Sequence, residues 1–264
     1  MRVVQQRVQS RHEEVSREEQ AGFRPGRGCC HQIFTLQQVM EERIRCGKRL
    51  IIVFIDFAAA FDSVYHPAIW NTLEAEGIPG KIIRLLQNTY DGSKCKVRVR
   101  GGMSESFTVS TGVRQGCVIS PLLFNTVIDA IMRRVFKKRA GVECGQQQFV
   151  TDLMYADDVA IFANDKAEAT SILNDISVTA QPYGLIINAE KTKVLTTDGA
   201  PVIVHLNEAE LEQVQNFKYL ESIVQEKKIA SAVEILSRIG TASAAFGSLA
   251  WCLWRKTNVS TSTK

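Results

Sequence analysis

Met154-Tyr155-Ala156-Asp157-Asp158-Val159 sets two adjacent carboxylates between short apolar runs, Phe149-Val150 and Leu153-Met154 before them and Val159-Ala160-Ile161-Phe162 after. This pattern predicts strand, tight turn, strand, with the acids at the hairpin tip. Two neighbouring Asp side chains close to a core are costly without compensation, and a cation is their natural partner. Hard oxygen ligands with no His or Cys close by favour Mg²⁺ or Mn²⁺ over zinc. For such a pair standing alone, a solvated turn is the competing reading.

A third acid changes the balance. Leu50-Ile51-Ile52-Val53-Phe54-Ile55 is a continuous apolar run that predicts a strand buried on both faces, and it ends at Asp56. A core strand ending in an acid presents that carboxylate at its edge, whereas Asp62 reads equally as a cap or loop residue. Were the fold to bring Asp56 beside the hairpin, three carboxylates could hold two Mg²⁺ ions about 3.5–4 Å apart. One would activate an attacking hydroxyl and the other would steady a leaving pyrophosphate. The chemistry implied is phosphoryl transfer with a nucleotide.

The remaining chain must supply the elements that hold these acids. Residues 1–20 read as a polar lead-in, helical or frayed. Gly22-Phe23-Arg24-Pro25-Gly26-Arg27-Gly28 is a glycine-rich loop with two arginines, in which Pro25 excludes a regular helix. Apolar periodicity predicts helices over 32–45, 67–76, 80–90, 120–136, 166–183 and 231–254, with Ser120 a favourable cap and Pro121 in the first turn. Strands are predicted over 94–100 and 105–110 about Gly101-Gly102, and over 185–187, 193–197, 202–206 and 216–224. The fold class is α+β.

Composition narrows the setting. With 264 residues, 45% hydrophobic and 23% charged, the chain fits one large domain or two small ones. Thirty-two Lys and Arg against 28 Asp and Glu give +4, which permits a polyanionic partner without requiring one. Arg133, Arg134, Lys137, Lys138 and Arg139 form a basic run at the end of a predicted helix, either a phosphate-contacting patch or a solvated helix end. Seven cysteines without CxxC spacing argue against structural zinc and for reduced thiols in an intracellular protein, nuclear or cytoplasmic. No apolar run approaches transmembrane length, and the first twenty residues are too polar for a signal peptide.

Six segments, in order over roughly residues 20 to 225, resemble one family. They are Gln20-Ala21-Gly22-Phe23-Arg24-Pro25-Gly26-Arg27; Phe54-Ile55-Asp56-Phe57 with Ala60-Phe61-Asp62-Ser63-Val64; and Gly112-Val113-Arg114-Gln115-Gly116-Cys117 with Ser120-Pro121-Leu122-Leu123-Phe124-Asn125. Tyr155-Ala156-Asp157-Asp158, then Gly184-Leu185 with Ile187-Asn188 and Lys191-Thr192-Lys193, and finally Phe217-Lys218-Tyr219-Leu220 complete the set. The chain resembles the reverse transcriptase domain of non-LTR (LINE-type) retrotransposons. The resemblance implies a right-hand polymerase: an antiparallel palm sheet with packed helices, partial fingers and the start of a thumb. Its domains would be a lead-in at 1–20, fingers and palm at 20–225, and a partial thumb helix with polar tail at 226–264. The expected partners are an RNA template, a DNA primer and dNTP, with no membrane.

By the same resemblance, Asp56 and Asp157 would hold two Mg²⁺ or Mn²⁺ ions, with Asp158 the third acid. Lys191 would protonate pyrophosphate, with Lys193 as its rival. Phe61 would exclude a ribose 2′-OH, Arg24 would meet the triphosphate, and the Arg114-Gln115 loop would lie near the nucleotide. Ala58, Ala59, Gly28, His31 and Glu221 depart from the family's usual residues. The chain begins almost at the Gly-Phe-Arg motif, so a truncated element, with a partner supplying further fingers and thumb, is expected. A catalytically inactive remnant that folds as a palm is the alternative. The Arg114-Gln115-Gly116 loop argues against a third candidate, a palm-fold cyclase.

Overall fold

Leu50 to Ile55 are each no more than 4% exposed, and this single fact explains the middle of the molecule. A computed structural model describes residues 1–145, 147–226, 231–250 and 254. The chain opens with α1 (Arg2–Val15) and α2 (Cys29–Arg45), enters β1 (Ile51–Ile55), and turns through α3 (Ala60–Ser63) into α4 (His66–Ala75) and α5 (Gly80–Tyr90). An exposed arm follows, in which β2 (Lys94–Cys95), β3 (Arg98–Val99), β4 (Gly102–Met103) and β5 (Phe107–Thr108) pair as β2 on β5 and β3 on β4. After α6 (Ser120–Phe136) come the pair β6 (Val142–Glu143) and β7 (Phe149–Val150), then β8 (Asp152–Tyr155), β9 (Asp158–Ala163) and α7 (Lys166–Ala180). The last described elements are β10 (Lys193–Thr196), β11 (His205–Leu206), β12 (Ala209–Glu210), β13 (Glu212–Gln213), the hairpin β14 (Asn216–Tyr219) and β15 (Ser222–Gln225), and α8 (Ser231–Ser248).

β1 is the middle of a five-stranded sheet ordered β13-β10-β1-β9-β8, antiparallel throughout except for β10 with β13. Strand alternation divides β1 between two cores. Ile51, Val53 and Ile55 pack with residues of α4, α5, α6 and α7, while Leu50, Ile52 and Phe54 pack with Leu36, Val39 and Met40 of α2 and with Tyr219. Phe54 stacks on Phe217, ring centroids 4.3 Å apart. Each such burial contributes about 1.5–3 kcal/mol. A charge is tolerated on this strand only where it leaves the sheet, at Asp56.

Several expectations are corrected. Of the two readings of residues 1–20, helical or frayed, the helical one holds over α1, but the segment is packed rather than a loose lead-in: Val8 and His12 are buried, and His12 Nδ1 lies 3.0 Å from the buried Glu76 Oε2. Ser120 lies inside α6 rather than capping it, its hydroxyl 3.2 Å from the Tyr90 hydroxyl. Residues 185–187 form no strand. Their backbone is spent singly on the end of β1, through Ala58 N–H to Ile186 O, Asn188 N–H to Asp56 O and a bridge between Phe57 and Ile187. The predicted helix 231–254 is α8 over Ser231–Ser248, and the polar tail lies outside the described residues. Among the described residues no helix is long and apolar enough to cross a membrane.

The hairpin between β14 and β15 turns through Leu220 and Glu221, at φ 48° and 65°. Two consecutive left-handed residues are the geometry that Asn-Gly fits and that a branched-stem side chain resists. Glu221→Gly should therefore stabilise the chain by about 0.5–1 kcal/mol, since the exposed pair with Lys218 contributes little. A urea midpoint that moved down would contradict this account of the turn.

Candidate active site

The register Ile55↔Val159 between β1 and β9 sets Asp56, one residue beyond Ile55, alongside Asp158, one residue before Val159. Asp157 completes the turn from β8, whose Tyr155 pairs with Asp158. The three carboxylates are electrostatic neighbours. Burial first, and then the charge of Asp56, raises the Asp157 carboxyl above its ordinary range. Burial, followed by the charges of Asp157 and Asp56, pushes Asp158 up to about 6. Asp158 nonetheless keeps more than a third of its surface in water, so repulsion between like charges is the firmer of those causes. Lys191 answers it, with Nζ 3.9 Å from Asp56 Oδ2. The rival Lys193 is engaged by Glu212 and the Glu190 carbonyl.

The turn that carries Asp157 is held from outside the hairpin. Ala156 sits at φ 58°, and the buried Gln20 side chain grips it on both sides. Gln20 Oε1 accepts from Ala156 N–H at 3.0 Å and from Gly22 N–H at 2.7 Å, while Nε2 donates to Ala156 O at 3.4 Å. Ala21 N–H donates to Met154 O, Met154 N–H donates to Glu19 O, and Asn125 donates to Gly22 O. Residue 22 must be glycine here, because a Cβ would overlap the Ala156 backbone nitrogen. At the base of β8, fully buried Asp152 accepts from Arg17 at 2.6 Å. Burial pushes its carboxyl up to about 7 against the pull of that guanidinium. Sequence reading gave Asp152 no role, and it missed the Gln20 clamp. The available signal was the place of Gln20 at the head of the Gln20-Ala21-Gly22-Phe23-Arg24 segment, which does not announce a partner 136 residues away.

Among the described residues no three His, Cys, Asp or Glu side chains are gathered closely enough to form a ready-made cation cage. The expected convergence of the three acids on one point is thus corrected to adjacency. Asp157 and Asp158 are consecutive where the chain passes from turn to strand, and consecutive side chains diverge there. The donor set still fits a hard divalent cation: carboxylate oxygens only, mutual repulsion, and Asp56 Oδ2 buried without a hydrogen-bond partner.

Residues 1–224 match the family described as reverse transcriptase (RNA-dependent DNA polymerase). The chain belongs to this family. Its relatives include non-LTR retrotransposon proteins. The Pol polyprotein of the type-2 retrotransposable element R2DM of Drosophila melanogaster is 31% identical over 182 residues, 69% of this chain and 17% of that protein. The probable RNA-directed DNA polymerase from transposon BS, also of Drosophila melanogaster, is 26% identical over 263 residues, 91% of this chain and 27% of that protein. The chain spans little more than a quarter of either relative at most. Among solved structures, telomerase from Candida tropicalis truncated from its C-terminal domain matches with TM-score 0.63 at 13% identity, over 85% of this chain and 43% of that one. Telomerase from Candida albicans, in complex with a TWJ fragment of telomeric RNA, matches with TM-score 0.55 at 14% identity, over 84% and 37%. The fold is a polymerase palm.

Within this reverse transcriptase palm, the residues expected around the nucleotide have mixed fates. Phe61 is half-buried and stacked on Phe124, centroids 4.4 Å apart at 15°. Gln115 Nε2 lies 3.4 Å from Asp62 Oδ1 and is exposed. Arg24 is corrected: its side chain is 7% exposed, forked onto Glu13 and donating to the carbonyls of Arg17 and Gln20. Arg114 is likewise committed, donating to Thr89 O and Ser93 Oγ and lying over the Tyr90 ring. The basic run is also reduced as a phosphate patch. Arg133 pairs with Asp129 and Glu76, Arg139 pairs with Asp175, and Arg134 lies over Tyr183, which leaves Lys137 and Lys138. Local sequence offers free guanidinium groups, whereas the tertiary fold supplies their carboxylates.

The clamp has a measurable consequence. Gln20→Leu strands the Ala156 and Gly22 N–H groups in the core and should cost about 1–3 kcal/mol in urea unfolding. Gly22→Ala should cost a similar amount by overpacking against backbone. Wild-type stability in both variants would show that the turn is held elsewhere.

Proposed function

We propose that this chain is the catalytic palm of an RNA-directed DNA polymerase that adds dNMP to a primer 3′-OH on an RNA template, as retrotransposition requires. The observation that carries the reading is the β1–β9 register, which sets Asp56 beside Asp157-Asp158 with Lys191 at 3.9 Å. Family membership and the activity for which the transposon BS relative is named support it. In this reading residues 20–225 are fingers and palm, and α8 begins a thumb.

Asp56, Asp157 and Asp158 would hold two Mg²⁺ or Mn²⁺ ions. Bound there, such ions supply Lewis acidity to the attacking hydroxyl and to the departing pyrophosphate. The 3′-hydroxyl gives up its proton to solvent, and its oxygen forms a bond to the α-phosphorus as the bond to the bridging oxygen breaks and pyrophosphate leaves. Lys191, exposed and tethered only loosely to Asp56, delivers a proton to the pyrophosphate oxygen that leaves. Phe61 cannot swing away from Phe124 without losing its stack, so its ring excludes a ribose 2′-OH. Gln115, in the exposed loop before α6, contacts the nucleotide.

A second reading, a palm that binds nucleic acid without polymerising, is favoured by one observation. Arg24, expected at the triphosphate, and Arg114, expected near the nucleotide, are both engaged within the chain. Primer extension with dNTP and Mg²⁺ separates the two. The wild type should extend, and Asp157→Ala should lose at least about 10²-fold in rate while remaining folded. Extension by neither protein would favour the second reading. Phe61→Ala should raise the ratio of ribonucleotide to deoxynucleotide incorporated; an unchanged ratio would leave Phe61 a core residue only.

A further inference from the structure

Lys94, Lys96, Arg98 and Arg100 recur at every second residue along the arm, the period that places side chains on one face of an extended strand. The ladder shows why this alternation persists. Near the base Lys94 pairs with Thr108 and Cys95 with Phe107. Near the tip Arg98 pairs with Met103 and Val99 with Gly102. Between them Ser104 N–H donates to Val97 O at 2.9 Å, and Val97 N–H donates to Ser104 Oγ at 2.8 Å. The register slips by one residue across this point, and the extra residue belongs to the return strand, around Glu105. That bulge leaves Lys94 to Val99 in step, so Lys94, Lys96 and Arg98 share a face and Arg100 follows in the turn.

Residues 94–100 are all exposed. Among the described residues none of the four cations makes a side-chain hydrogen bond, ion pair or ring contact. Glu105 is the one acid between Lys94 and Thr108. These charges contribute nothing to the core, and three like charges on one face with a fourth at the turn oppose a two-stranded ladder that is marginal in water on its own. A polyanion laid along that face reverses the sign of the interaction. The contrast with 133–139 is direct, since there two of three arginines are already neutralised by carboxylates. The arm's position points the same way. Lys94, Cys95 and Phe107, at its base, line an open cleft of about 510 Å³ together with Asp62, Arg114 and Gln115. The arm therefore rises beside the loop assigned to the nucleotide.

We propose that the arm over 94–108 is a phosphate-gripping surface that holds the RNA–DNA duplex by its backbone, without regard to sequence. The identity of the polyanion rests on the polymerase reading; the existence of the surface does not. The test is fluorescence anisotropy of a labelled RNA–DNA hybrid, titrated with the full chain between about 50 and 200 mM KCl. Replacing Lys94, Lys96, Arg98 and Arg100 by Ser should flatten the slope of log affinity against log salt by about 3.6, near 0.9 for each phosphate left without its cation. Because the four side chains are exposed, the thermal midpoint should stay where it is. Lys137→Ser with Lys138→Ser should flatten the slope by less than half as much. A wild-type slope in the quadruple variant overturns the proposal, as does an equal loss from the Lys137 and Lys138 pair. Displacement of the hybrid by polyglutamate at matched charge would make this a general polyanion surface and overturns the assignment to nucleic acid. Arm-dependent binding by a chain that extends no primer would keep the arm and remove the polymerase reading.

Discussion

Like charges held close together are the constraint on which this structure depends. Beyond the effect of burial, the charge of Asp56 raises the proton affinity of Asp157, and the charges of Asp157 and Asp56 raise that of Asp158; left to a flexible chain the three acids would drift apart. The fold opposes that drift with backbone. β1 is paired along both edges, by β9 and β10, so Asp56 leaves a strand that cannot bend. The hairpin bearing the other two acids is anchored through the carbonyls and amides of its own turn. In this sense Gln20, Gly22 and Arg17 belong to the acid site, although none of them carries its negative charge.

The same need explains the crowding just beyond β1. The segment over 57–64 is fixed from one side by residues 186–188 and from the other by Gly112, whose φ of 81° and lack of a Cβ let it lie against the Asp62 backbone. Val113 N–H donates to Phe61 O at 2.7 Å. The loop expected to face the nucleotide and the helix carrying the expected sugar gate are thus one bonded unit. Ala59 enters that helix at φ 46°, a conformation held by its neighbours rather than preferred by alanine.

What the sequence made legible follows from range. An unbroken apolar run ending in Asp, and an Asp-Asp pair between two more, are local patterns, and the fold kept both as read. Helix α5, bounded by Pro79 and Tyr90, was equally plain. Most of the failures at charged groups involve partners that another part of the fold brings up. Arg24 meets Glu13 only because α1 packs back on the palm, Arg133 meets Glu76 from another helix, and Asp152 is buried under Arg17 across 135 residues. Composition gives an arginine its charge, while only tertiary structure says whether that charge remains free. The arm at 94–108 shows the converse. Its cations stay free because nothing packs there, and the unpaired row becomes visible only once the bulge is placed on the opposite strand.

The whole catalytic reading turns on the proposal that Asp56, Asp157 and Asp158 together hold a divalent cation. Electron paramagnetic resonance of Mn²⁺ reports it most directly, since bound ions leave the sharp free-ion signal. The wild-type chain should deplete that signal, and Asp56→Asn should restore most of it while the protein stays folded. Equal Mn²⁺ uptake by wild type and Asp56→Asn would contradict the assignment and leave the three acids a structural cluster.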